Sequence, residues 1–136
     1  MIYHSVVGLI VWLAATLLFR FYGQIFFTTD DIIYAILFIV AAPVCWGFMV
    51  LYLGILNVLP ENRALAAVSF VLPGMVLDAL VTANFALVFP NLDISLDGKF
   101  GALMLIAYAS LLFGGYSSDR RVRKQLALRL ENVAAP

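Results

Sequence analysis

Long apolar runs alternate with short polar intervals along the whole chain, and each run is of membrane-crossing length. The runs cover residues 4–27, 32–58, 64–89 and 100–116. About 20 apolar residues in a helix span the roughly 30 Å of bilayer hydrocarbon, so the pattern predicts four transmembrane helices. The interval "TTDD" supplies side-chain oxygens to cap the second helix, and Pro60 in "NVLPENRA" suits the start of the third. Pro43 and Pro73 fall inside spans two and three. Each deprives the carbonyl four residues earlier, at Ile39 and Ser69, of its helical partner, so a bend or a locally adaptable stretch is expected there. The fourth span is the shortest.

Beyond Tyr116 the pattern changes. "VRKQLALRLENV" places Val122, Leu126, Leu130 and Val133 at three- and four-residue spacing, with Arg123, Lys124 and Arg129 largely elsewhere. This predicts a short basic amphipathic helix on the membrane surface or on a partner. The expected organisation is all-α: a four-helix transmembrane bundle over residues 1–117, followed by a basic tail at 118–136.

Composition agrees, with 65% hydrophobic and 12% charged residues against about a quarter charged in soluble domains. The formal net charge is zero, but five of the eight Lys and Arg residues lie in "DRRVRKQLALRL". Arg63 lies in the second connection, and the cluster Arg120, Arg121, Arg123 and Lys124 follows span four. The first and third connections carry mainly Asp30, Asp31, Asp93 and Asp97, with Lys99 the only base. The positive-inside rule then places both termini in the cytoplasm. The cluster suits anionic head groups, at roughly 1 kcal/mol per base near the surface. It is too small, and too well explained by orientation, to indicate nucleic acid. The first run has no basic leader and no small-x-small site before Thr28, so it reads as a permanent span. The single cysteine, Cys45, excludes an intrachain disulfide and reads as packed within a helix.

Two charged residues lie at depth. Arg20 is seven residues inward from Phe27, about 10 Å, and Asp78 eleven inward from Phe89, about 16 Å. Spans one and three run in the same direction, so the two can meet in a buried polar centre with Thr16 and Gln24. The simpler alternative is that Arg20 snorkels to the outer head groups. His4, Gly8, Trp12, Thr16, Arg20 and Gln24 recur every four residues as a slowly curving stripe. Trp12 in it reads as packing, and His4 as an interfacial residue. In span three Ala67, Gly74, Asp78 and Thr82 share a face that admits a close neighbour. Asn84 points away from that face, toward another span or a second protein.

"VVGLIVWLAATLLFRFYGQIFF", "LPGMVLDAL" and "FPNL" resemble a family of small bacterial integral membrane proteins of unassigned function. The resemblance rests on Arg20 near the outer end of span one and on Pro73, Gly74 and Asp78 in span three. It implies a four-span protein of the bacterial inner membrane, and it transfers no catalytic, ligand or transport role.

No phosphate loop, nucleophile elbow or cysteine-histidine metal site is present in the sequence, so no catalytic residue, metal or cofactor is predicted. The leading expectation is a non-enzymatic accessory or scaffold subunit of a larger membrane assembly. It would contact lipids and a membrane-protein partner or further copies of itself. The alternatives are a small transporter or channel component centred on Arg20 and Asp78, and a subunit that contacts lipid, quinone or pigment.

Overall fold

The computed structural model describes residues 1–134, with the side chains at 121–123, 126 and 129–134 outside the described set. Its helices are α1 (Ile2–Phe26), α2 (Asp31–Ile55), α3 (Arg63–Ala83), the single turn α4 (Phe85–Val88) and α5 (Asp97–Ala134). Four of them are long and apolar enough to cross a membrane, and the protein is an all-α, multi-pass integral membrane protein. α2 and α3 run through Pro43 and Pro73 without losing helical assignment.

The ends of the helices follow local chemistry. Asp30 caps α2 by accepting the amides of Ile32 and Ile33. α2 stops at Asn57, whose positive φ of 49° completes a Schellman-type end in which the Val58 amide reaches the Leu53 carbonyl. α3 stops earlier than the apolar run. The Asn84 backbone leaves helical geometry, and its side-chain amide donates to the Leu80 carbonyl at 2.9 Å, so the chain breaks before the turn at 85–88. α5 runs on well past Tyr116 as one helix of 38 residues. No break therefore sets the basic stretch apart as a helix of its own among the described residues: no Gly or Pro follows Gly115 before Pro136, and Ser117 returns its hydroxyl to the Gly114 carbonyl without interrupting the backbone. The apolar face expected from Val122, Leu126, Leu130 and Val133 lies outside the described side chains.

α1 packs on α3, α3 on α5, and α5 on α2. Small residues set the closest approaches. A Cβ at Gly8 would stand 1.9 Å from the Phe70 carbonyl oxygen, and one at Gly115 would stand 2.4 Å from Ala67 Cβ. The α1–α3 crossing also resolves the carbonyl that Pro73 strands. Ser5 Oγ donates to the Ser69 carbonyl at 2.9 Å, supplying from a neighbouring helix the partner that proline cannot.

Two apolar clusters hold the ends of the bundle. One gathers Phe19, Phe27, Val81, Phe85, Phe89, Leu96, Phe100 and Leu103, with several ring pairs edge to face. The other gathers Met49, Leu53, Ala66, Ala67, Phe70 and Val71. Polar contacts mark the same two ends. At one end His4 Nδ1 and the Tyr52 hydroxyl share a hydrogen bond of 2.9 Å, and Arg63 donates to the Val58 carbonyl and to Ser118 Oγ. At the other, Lys99 pairs with Asp31 at 2.6 Å and lies over the Tyr34 ring. The start of α1 and the stretch of α5 around Ser118 thus share one end of the bundle.

Candidate functional site: a carboxyl in a lateral cavity

α1 and α2 meet near their ends, through His4 with Tyr52 and through Phe27 with Tyr34. Between these contacts a cavity of about 310 Å³ separates them, with α3 and α5 as its back wall. Val11, Trp12 and Thr16 face it from α1, and Val44, Cys45 and Phe48 from α2. Val11, Val44 and Phe48 are also exposed, so the cavity opens sideways between the two helices. Its wall is apolar except for a few groups, of which Asp78 is the only carboxyl.

Asp78 is 6% exposed and is held by two neutral donors. Trp12 Nε1 donates to Oδ1 at 2.7 Å, and the Tyr108 hydroxyl donates to Oδ2. Gly74, one turn before Asp78, makes this possible. A Cβ there would stand 2.9 Å from the Tyr108 hydroxyl and 3.3 Å from Trp12 Cδ1. α1, α3 and α5 each contribute one member of the triad, so the site ties three of the four spans together. A second cavity of about 470 Å³, lined by Met75, Ala79, Thr82 and Gly101 among others, reaches Asp78, Met104 and Tyr108 from the other side.

The structure does not bring Arg20 to Asp78. Arg20 is exposed and donates to the Val88 carbonyl, and Gln24 accepts from Asn91 Nδ2 at 2.6 Å. Thr16 returns its hydroxyl to the Trp12 carbonyl at 2.9 Å and lines the cavity. The separation follows from the early end of α3. Because the chain breaks at Asn84, the segment from Val88 to Asn91 lies against Arg20, Phe19 and Gln24 instead of ending level with Phe27. Asp78 then falls opposite Trp12, two turns or about 12 Å nearer the start of α1 than Arg20.

The other singled-out residues have plain positions. Gly74 is buried in the triad, Thr82 lines the second cavity, and Asn84 caps its own helix. Pro43 is exposed on α2, and Pro73 lies half-buried one residue before Gly74. Arg120 lies over the Tyr116 ring at 4.7 Å and Lys124 is exposed, while the side chains of Arg121 and Arg123 are outside the described set. Among the described residues, no group of three or more His, Cys, Asp and Glu side chains gathers to hold a metal.

Sequence reasoning missed Tyr108 altogether and read Trp12 as packing. A signal existed for Tyr108. Tyrosines of membrane helices concentrate at the interfaces, so one in the middle of an apolar span has a buried hydroxyl that needs a partner.

No curated protein and no solved structure matches the chain. Residues 25–121 match the Family of unknown function (DUF5367), a stretch that includes Asp78 and Tyr108 but leaves Trp12 outside it. The chain belongs to that family.

Proposed function

We propose that this membrane protein acts by binding rather than by catalysis, as a small transporter-type component that admits a small hydrophobic ligand to the cavity at Asp78. The observation that carries this is the cavity itself, open between α1 and α2 and backed by a carboxyl already positioned by Trp12 and Tyr108. A volume of about 310 Å³ is at the lower end for small-molecule sites. It suits a small ring or the head of a longer lipid or quinone better than a whole pigment. Cys45→Phe fills the space from α2 and leaves the triad untouched. Native mass spectrometry of protein released from lipid nanodiscs should show a small-molecule adduct on the natural chain that Cys45→Phe lacks. Identical spectra for the two would remove the cavity from the functional account.

One observation favours a second reading, an accessory or scaffold subunit of a larger membrane assembly. α1 buries only Gly8, Phe19 and Gly23, and α2 only Met49 and Leu53, which leaves two broad apolar faces for lipid, a partner or another copy. A stable complex of two different proteins in the same spectra, with no small-molecule adduct, supports that reading over the first.

On either reading the protein sits in the bacterial inner membrane, with the His4, Tyr52, Arg63 and Ser118 end toward the cytoplasm. Arg63 and the cluster from Arg120 to Lys124 support that orientation, since bases are retained on the cytoplasmic side. Reporter enzymes active only in the cytoplasm should work at both termini. Reporter activity restricted to the outer side at both ends would invert the orientation.

A further inference from the structure

The chemistry of the cavity at Asp78 narrows its occupant, provided that the cavity is a binding site as proposed above. We infer that it takes a hydrophobic organic cation, with Asp78 as the counter-charge and the aromatic wall around the apolar body.

The first support is the distribution of charge. Asp78 is the one carboxyl on the cavity wall. The described cationic side chains lie elsewhere: Arg20 donates to the Val88 carbonyl, Arg63 to the Val58 carbonyl and Ser118, and Lys99 to Asp31, while Arg120 lies over the Tyr116 ring and Lys124 is exposed. His4 is engaged with Tyr52. Within the described residues Asp78 therefore has neutral donors and no positive partner. Charged groups inside membrane spans are normally paired or functional, and here the described residues supply no pair.

The second support is the geometry of the carboxyl. Trp12 and Tyr108 each occupy one of its oxygens and fix its plane. A carboxylate has about four lone-pair positions, so both oxygens keep capacity for an incoming cation. A ligand carboxylate or phosphate would instead meet like charge.

The third support is the wall. Trp12, Phe19, Phe48, Phe70, Phe100 and Tyr108 all line the cavity. Aromatic faces attract ammonium-type cations through the ring quadrupole, most strongly where water is excluded, and they accept an apolar body equally well. Entry is available from the side, because Val11, Val44 and Phe48 are both lining and exposed. A hydrophobic cation dissolved in the bilayer can reach this opening without crossing the bundle.

The test uses the full chain in nanodiscs of phosphatidylcholine, whose zwitterionic surface does not concentrate cations. Binding of benzyltrimethylammonium is measured by equilibrium dialysis beside neopentylbenzene, which has the same shape without the charge. The cation should bind the natural chain at least tenfold more tightly than its isostere. Asp78→Asn should erase that preference by weakening the cation alone, and Cys45→Phe should weaken both compounds. Should Asp78→Asn fail to fold, the natural chain's preference for the cation and the weaker binding of both compounds by Cys45→Phe decide the matter. Equal binding of the two compounds by the natural chain overturns the cation inference and leaves the cavity as a binding site. Binding of neither compound overturns the cation inference and the binding reading together.

Discussion

Gly8→Ala is expected to destabilise the folded protein by about 3 kcal/mol, although it adds a single methyl group to the chain. The methyl would stand 1.9 Å from the Phe70 carbonyl oxygen, and that obstacle is backbone, not the movable end of a side chain. α1 has to shift away from α3 to make room. Two hydrogen bonds depend on that approach: Ser5 to the Ser69 carbonyl and Trp12 to Asp78. α1 buries little else, so no other contact can absorb the movement. Gly47→Ala is the matched control, because nothing lies within 4 Å of its added Cβ. It should leave stability unchanged or raise it by up to about 1 kcal/mol through helix propensity. The two variants are compared by reversible unfolding in one mixed-detergent system. Equal effects at the two glycines would mean that the α1–α3 crossing does not hold the bundle together.

The four spans are legible in the sequence because lipid imposes a simple rule: the backbone must satisfy itself, so a long apolar run becomes a helix. The Ser69 carbonyl stranded four residues before Pro73 is legible for the same reason, although the identity of its rescuer, Ser5, is not. The details that fail are those governed by a few local bonds. Nothing in the hydropathy of "VTANFALVF" marks the end of α3, since Asn84 ends it by one side-chain bond to Leu80. That single break moves the next segment along α1 and removes the basis for matching the depths of Arg20 and Asp78. In α5 the change from apolar to basic residues suggests a boundary after Tyr116, but composition changes without a backbone reason to stop, and the helix continues.

The candidate site was half legible. Asp78 stands out as a carboxyl deep in an apolar run, and the small residue at Gly74 marks a close approach on its face. Its partners depend on which spans are neighbours, which periodicity does not determine. Trp12 lies within the four-residue stripe that contains Gly8, and once Gly8 is seated on Phe70 the stripe carries Trp12 toward Asp78. Tyr108 comes from a helix whose rotation only the packed bundle fixes, with Gly115 against Ala67 setting its approach.

Removing both donors from Asp78 is expected to cost about 3 kcal/mol, because a buried carboxyl left without partners loses its hydrogen bonds and keeps its desolvation penalty. Tyr108→Phe makes that change with little loss of volume, whereas Trp12→Phe also gives up part of the indole ring, and each alone should cost about 1–2 kcal/mol. The assignment of partners is tested by two double-mutant cycles in the same detergent. Asp78→Asn combined with Tyr108→Phe should be non-additive by about 1 kcal/mol, since the hydroxyl and the carboxyl touch. Asp78→Asn combined with Arg20→Ala should be additive within about 0.5 kcal/mol, because Arg20 is held at Val88 and shares no partner with Asp78. The opposite result, coupling to Arg20 and additivity with Tyr108, would restore the arginine as the charge partner of Asp78. It would also remove the reason to look outside the protein for a cation. The two cycles therefore decide between a closed structural ion pair and a carboxyl that the fold has positioned with no positive partner among the described residues.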